Sequence, residues 1–222
     1  MAEQLSFDLP VREARGREDF FVSPANAEAV AMIEGWQGWP SHKLVLTGPP
    51  GSGKTHLVHV WAALSGARIV SAADLPEADI PDLASSPVAI EDCDAIAGNR
   101  PAEEALFHLH NLALAEGRSI LFTAEKPANL WNLTLPDLAS RMQGTPASPL
   151  HEPDDTLLGV VLMKLLADRQ LSPTPNTVPY LVRRIDRSFA AARDVVARLD
   201  SLSLSTGRPI NRALAAKLLD NA

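Results

Sequence analysis

Gly48-Pro49-Pro50-Gly51-Ser52-Gly53-Lys54-Thr55 joins three glycines, a lysine and a hydroxyl in a spacing suited to phosphate. The run satisfies G-x-x-x-x-G-K-[ST] at every fixed position. Its glycines let successive backbone N–H groups turn inward around phosphate oxygens. Lys54 is expected to reach the β- and γ-phosphates, and Thr55 to ligate Mg²⁺. A second group of polar residues follows. Glu91 and Asp92 end the apolar run Val88-Ala89-Ile90, where a nucleoside triphosphatase needs carboxylates for its metal and its attacking water. Glu91 is expected to hold Mg²⁺ through water and Asp92 to orient or deprotonate the water. Most P-loop proteins place Asp first, so the longer Glu91 side chain puts fast intrinsic hydrolysis in doubt. Thr123, at the end of another apolar run, is suited to sensing a γ-phosphate. Arg141 and Arg187 are further candidates, though either residue type also serves in surface ion pairs.

These residues need a scaffold, and the flanking sequence supplies one. Lys43-Leu44-Val45-Leu46-Thr47 predicts a buried strand before the glycine-rich loop, and His56 to Leu64 predicts a helix after it. The helix N-terminus near Gly53 adds positive field at the phosphates. His56 opens that helix and belongs with the nucleotide-facing set, while the face it shares with His59 fits packing or solvent better than metal ligation. Short strands are expected at Ala67–Ser71, Pro87–Ile90 and Ser119–Thr123, with helices between, one opened by Pro101 and closed by Gly117. Ser23-Pro24 is expected to cap a helix running toward Trp36. Apolar strands alternating with helices imply a mostly parallel sheet covered on both faces. After residue 150 only helices are expected, near Pro153–Leu165, Val178–Ile185, Phe189–Leu202 and Ile210–Leu219. The fold class is therefore α/β, a P-loop domain (13–150) followed by a small all-helical lid (151–222), with a tail at 1–12.

Composition agrees with a globular nucleotide-binding protein. The 222 residues are 46% hydrophobic and 21% charged, with a single cysteine, Cys93, which rules out an internal disulfide framework and fits a reducing cytoplasm. No stretch is apolar enough to cross a bilayer, and the N-terminus lacks signal-peptide character. Charge is unevenly shared: residues 1–157 carry 10 Lys+Arg against 22 Asp+Glu, and residues 158–222 carry 10 against 5. The basic C-terminal part is either solvated helix surface or a face turned toward nucleotide or nucleic acid. The acidic whole disfavours strong independent DNA binding.

The order of P-loop, acidic strand tip, polar strand end, arginine before the lid and arginine within it resembles that of AAA+ ATPases. The segments 104–111 (Glu-Ala-Leu-Phe-His-Leu-His-Asn), 121–127 (Leu-Phe-Thr-Ala-Glu-Lys-Pro) and 135–141 (Leu-Pro-Asp-Leu-Ala-Ser-Arg) narrow the resemblance. They resemble the DnaA-related family, and within it the shorter Hda-type regulators. That resemblance implies that Arg141 is an arginine finger acting in a neighbouring subunit and that Arg187 is a sensor 2 arginine contacting bound ADP or ATP. It places Thr123 in the sensor 1 region and Phe20, Phe21 and Val22 against the adenine. Gln4-Leu5-Ser6-Phe7-Asp8-Leu9 resembles the linear motif that docks on the bacterial sliding clamp, the β subunit of DNA polymerase III. There the Gln4 amide forms hydrogen bonds while Leu5, Phe7 and Leu9 enter an apolar groove. The chain ends at Ala222, so no helix-turn-helix origin-reading domain is expected. An Hda-type protein, usually active with ADP bound, promotes hydrolysis of ATP held by DnaA when docked on DNA-loaded clamp. DNA is then met through the clamp, and a homo-oligomer is an allowed assembly. The alternatives are a self-contained AAA+ ATPase such as a helicase loader, or a small P-loop kinase. The kinase reading lacks an acceptor site, and the absence of Asn-Lys-x-Asp disfavours a GTPase.

Overall fold

Five parallel strands form the centre of the molecule in a computed structural model that describes residues 22–220. In chain order they are β1 (Lys43–Thr47), β2 (Arg68–Ser71), β3 (Val88–Glu91), β4 (Ile120–Ala124) and β5 (Ala147–Pro149), with spatial order β2-β3-β4-β1-β5. The connecting helices are α1 (Ala27–Glu34), α2 (Lys54–Ser65), α3 (Ile80–Ala84), α4 (Arg100–Ala115) and α5 (Pro136–Gln143). Every residue of β1 and β4 is buried, as expected where helices cover both sheet faces. The period of two then sorts side chains between two cores. Leu44, Leu46, Ala89 and Leu121 pack with Ile33, Leu57, Val58 and Trp61 on one face. Val45, Val88, Ile90, Ile120 and Phe122 pack with Leu106, Leu109, Leu138 and Met142 on the other.

Four further helices follow: α6 (Asp155–Asp168), α7 (Thr177–Val182), α8 (Phe189–Thr206) and α9 (Arg212–Asp220). They enclose a core of their own around Leu158, Leu162, Leu181, Val196 and Leu214. Asp154 and Ser188 cap α6 and α8 by accepting from Leu157 N–H (2.7 Å) and Ala191 N–H (3.0 Å).

Two local expectations are corrected, and two elements were not anticipated. Ser23-Pro24 does not open the first helix: Ser23 Oγ accepts from Ala25 N–H, its carbonyl accepts from Asn26 and Ala27, and α1 begins only at Ala27. That helix ends at Glu34, so Trp36 sits in a 3-10 turn with its ring edge-on to Trp61 at 6.3 Å. Helix α5 and strand β5 were not anticipated from periodicity. The three residues of β5, Ala-Ser-Pro, have little strand propensity and are held by pairing with β1. The Val45 and Leu150 N–H groups donate to Pro146 and Thr47 carbonyls at 2.8 and 2.6 Å.

Candidate nucleotide-binding site

The C-terminal ends of β1, β3 and β4 lie side by side, where an open parallel sheet offers its crevice. Residues 48–53 leave β1 here and feed directly into α2. Two glycines are required by close approach. A Cβ on Gly48 would fall against the Leu150 carbonyl and the Ser52 hydroxyl. Gly51 has φ 74°, and a Cβ on it would stand 2.9 Å from the Ser188 Cβ. Gly51 is therefore where the helical part meets the loop, and its carbonyl accepts from Phe189 N–H at 2.9 Å.

Lys54 is buried, and its ammonium donates to the Gly48 and Pro49 carbonyls at 2.6 and 3.1 Å. Burial lowers its pKa, while Glu125, Asp92, Asp94 and Glu91 oppose that shift. Thr55 Oγ1 donates to Glu91 Oε1 at 2.7 Å. A hydroxyl and a carboxylate thus stand together at the mouth of the loop. This pair of hard oxygens fits Mg²⁺, which takes few protein ligands and completes its shell with phosphates and water. Among the described residues no group of three or more His, Cys, Asp or Glu forms a metal cage. The fit is therefore to an ion shared with phosphate.

Asp92 adopts a left-handed conformation (φ 58°), and its N–H donates to Thr123 Oγ1 at 3.1 Å. Asp tolerates this backbone conformation better than most residues do. Thr123 is buried opposite Leu46 in the sheet register, so β4 delivers its hydroxyl to the tip of β3. Sequence reasoning did not select Asp94 or Glu125. Asp94 Oδ2 accepts from the Glu125 and Lys126 N–H groups at 3.1 and 3.3 Å, tying the turn after β3 to the loop after β4. The Asp92-x-Asp94 spacing was the available signal. Cys93 between them is fully buried, its thiol pushed up by burial, and belongs to the core.

Arg187 precedes α8, next to the contact with Gly51, and pairs with Asp155 at 2.8 Å. His56 lies in the first turn of α2, and Val22 is exposed. Phe20, Phe21 and the tail residues Gln4, Leu5, Phe7 and Leu9 lie outside the described residues.

Arg141 stands apart from this assembly. It occupies the last turn of α5, exposed, and its carbonyl accepts from Lys43 Nζ at 3.3 Å and Thr145 Oγ1 at 2.8 Å. Lys43 begins β1, whereas the phosphate loop follows its end, and the two ends are separated by about 15 Å of strand. Beside Arg141, the buried Lys43 Nζ also meets His110 Nε2 at 3.3 Å, and His110 Nδ1 meets Asn111 Oδ1 at 3.2 Å. A neutral imidazole donating from Nδ1 and accepting at Nε2 satisfies both contacts. Burial first lowers the His110 pKa to about 4; the Lys43 and Arg141 charges add to this and the Asn111 hydrogen bond opposes it.

No protein-family model matches the chain. An uncharacterized protein of Haemophilus influenzae is 27% identical over 187 residues, spanning 78% of this chain and 79% of that protein. The chromosomal replication initiator protein DnaA of Thermomicrobium roseum is 25% identical over 231 aligned positions, 91% of this chain but 48% of its own length. The chain thus spans about half of that initiator. Domain III of Thermotoga maritima DnaA superposes with TM-score 0.81 at 18% identity, covering 96% of this chain and 98% of that one. AMPPCP-bound DnaA from Aquifex aeolicus superposes with TM-score 0.71 at 16% identity, covering 86% and 65%. The chain has an AAA+ P-loop fold, a parallel sheet flanked by helices and followed by a helical lid. Within that class its fold is similar to that of DnaA domain III.

Proposed function

We propose that the protein is a negative regulator of DNA replication initiation which binds ADP or ATP and promotes hydrolysis of ATP held by DnaA. The observation that carries this reading is the separation between the exposed Arg141 and the chain's own phosphate loop, with the length of β1 between them. An arginine so placed serves a nucleotide held by a neighbouring molecule.

In this reading the phosphate loop and Lys54 hold the chain's own nucleotide, and Arg187 releases Asp155 to contact it. Phe21 and Val22 border the adenine. Thr55, and Glu91 through water, would hold Mg²⁺, which would supply charge neutralisation at the phosphates. Asp92, oriented through its backbone bond to Thr123, faces the same mouth and holds or accepts a proton from water. Arg141 donates to the phosphoryl group of ATP bound to DnaA, stabilising negative charge as it develops. The tail residues Gln4, Leu5, Phe7 and Leu9 dock the protein on the sliding clamp in the cytoplasm. The chain divides accordingly into a tail (1–12), a nucleotide-binding unit (13–150) and a lid (151–222). A self-contained ATPase is favoured by one observation, that Thr55 is already hydrogen-bonded to Glu91 and the Asp92 N–H to Thr123. Phosphate release from DnaA–ATP, with and without this protein and DNA-loaded clamp, separates the two. Stimulation that requires all three partners supports the regulator; turnover of ATP by the isolated protein alone supports the enzyme.

A further inference from the structure

One ring in the helical lid gathers two guanidinia, with a third close by. Arg184 lies 4.8 Å and Arg212 5.2 Å from the Tyr180 ring centroid, and Arg184 Nη1 donates to the Tyr180 hydroxyl at 3.0 Å. With Arg183, Asn176 and Pro179 they line a pocket of about 420 Å³ between α7 and α9. No carboxylate lines it, and among the described residues none of these three arginines forms an ion pair. Other lid arginines do find acids: Arg169 meets Asp200 at 3.8 Å and Arg198 meets Asp194 at 3.4 Å. The cluster is positive charge gathered without internal compensation, in the part of the chain that carries 10 cationic against 5 anionic residues.

We propose that this pocket binds the phosphodiester backbone of a nucleic-acid strand, giving the lid a direct contact with DNA that does not depend on how Arg141 acts. Stacking on Tyr180 holds Arg184 and Arg212 in fixed planes, so less side-chain freedom is lost when each fork meets a phosphate. All three guanidinia are exposed; Arg183 and Arg184 lie in the turn that ends α7, and Arg212 opens α9. That footprint suits successive phosphates better than one free phosphate. An acidic peptide fits less well, because the Tyr180 ring is covered by guanidinia and the lining leaves Pro179 as its apolar surface, too little for a buried anchor. Contacts to the backbone position a protein without reading sequence. The net charge of -7 keeps the whole-chain affinity weak, in the range of roughly 10⁻⁴–10⁻⁶ M typical of non-specific binding.

The test uses the full chain and fluorescence anisotropy of a labelled mixed-sequence oligonucleotide, single-stranded and duplex, across a series of KCl concentrations. Arg184→Gln and Arg212→Gln should each weaken binding about three- to tenfold and lower the slope of log K against log salt by about one. Arg184→Lys/Arg212→Lys should keep most of the slope. Unchanged ADP affinity and circular dichroism show that the variants remain folded. Affinity within twofold of wild type with the same slope in both Gln variants overturns the proposal, as does absence of binding by the wild type at ~100 µM. Displacement by polyglutamate of matched charge as effective as by unlabelled oligonucleotide assigns the pocket to an acidic protein and overturns it too. Protection by millimolar inorganic phosphate, with oligonucleotide binding intact in the variants, makes it a free-phosphate site and has the same consequence.

Discussion

Lys54 sits where four carboxylates, Glu91, Asp92, Asp94 and Glu125, act on its charge, yet its hydrogen bonds go to loop carbonyls. Burial lowers its pKa, and those acids oppose the shift. Lys54→Ala should therefore lower ADP and ATP affinity tenfold or more, at least ~1.4 kcal/mol, in calorimetric titration. Unchanged affinity would place the phosphates elsewhere. Asp92 shows how a functional residue departs from local preference. Its left-handed backbone costs of order 1–3 kcal/mol, retained where surrounding contacts over-determine it, and here the bond to Thr123 is such a contact. The sequence marked Asp92 by type and place. Its conformation was not legible, because it depends on a hydroxyl 31 residues away.

Helices α4 and α5 are joined by a buried charge. The Glu103 carboxylate, fully buried in α4, accepts from the Gly98, Thr134 and Leu135 N–H groups and the Thr134 hydroxyl. Burial alone would raise its pKa, but these hydrogen bonds prevail and lower it. They fix the turn that launches α5 and so the helix that presents Arg141. Further along α4, His110 stays neutral beside Lys43, with its pKa depressed to about 4. Unfolding lets it bind a proton, so its contribution is full above pH 6.5 and is lost as pH falls from 6.5 toward 4. The loss reaches about 3 kcal/mol. Urea midpoints should fall with acidification across that window, less steeply in His110→Gln; parallel profiles would remove His110 from the account. The Glu103 contribution is lost only below about 4.5, at the acid end of the His110 window. The strands and long helices of this region were legible from period and capping. Strand β5 was not, since its pairing with β1 outweighs a sequence with no strand preference. Arg141 was marked by the resemblance of its segment rather than by its surroundings, which were invisible until α5 met β1.

At the scale of the chain, two sheet-facing cores and a separate lid core place the phosphate loop and Arg141 at opposite ends of β1. Gly51 joins lid to loop. No helix among the described residues is long and apolar enough to cross a membrane. The tail residues Gln4, Leu5, Phe7 and Leu9, proposed to dock on the clamp, precede this assembly in sequence. Replacing Gln4 and Leu5 with alanine should abolish clamp binding in surface plasmon resonance with nucleotide affinity intact. Retained clamp binding would discard the motif. The central claim concerns Arg141, and the direct measurement is phosphate release from DnaA–ATP in the presence of DNA-loaded clamp, comparing wild type with Arg141→Ala and Arg187→Ala. Arg141→Ala should bind nucleotide and clamp as wild type does yet lose stimulation, since a finger supplied in trans contributes ~10³–10⁵ in rate to well-studied nucleoside triphosphatases. Arg187→Ala should first weaken binding of the chain's own nucleotide. Stimulation by Arg141→Ala equal to wild type, or none by the wild type itself, would contradict the account.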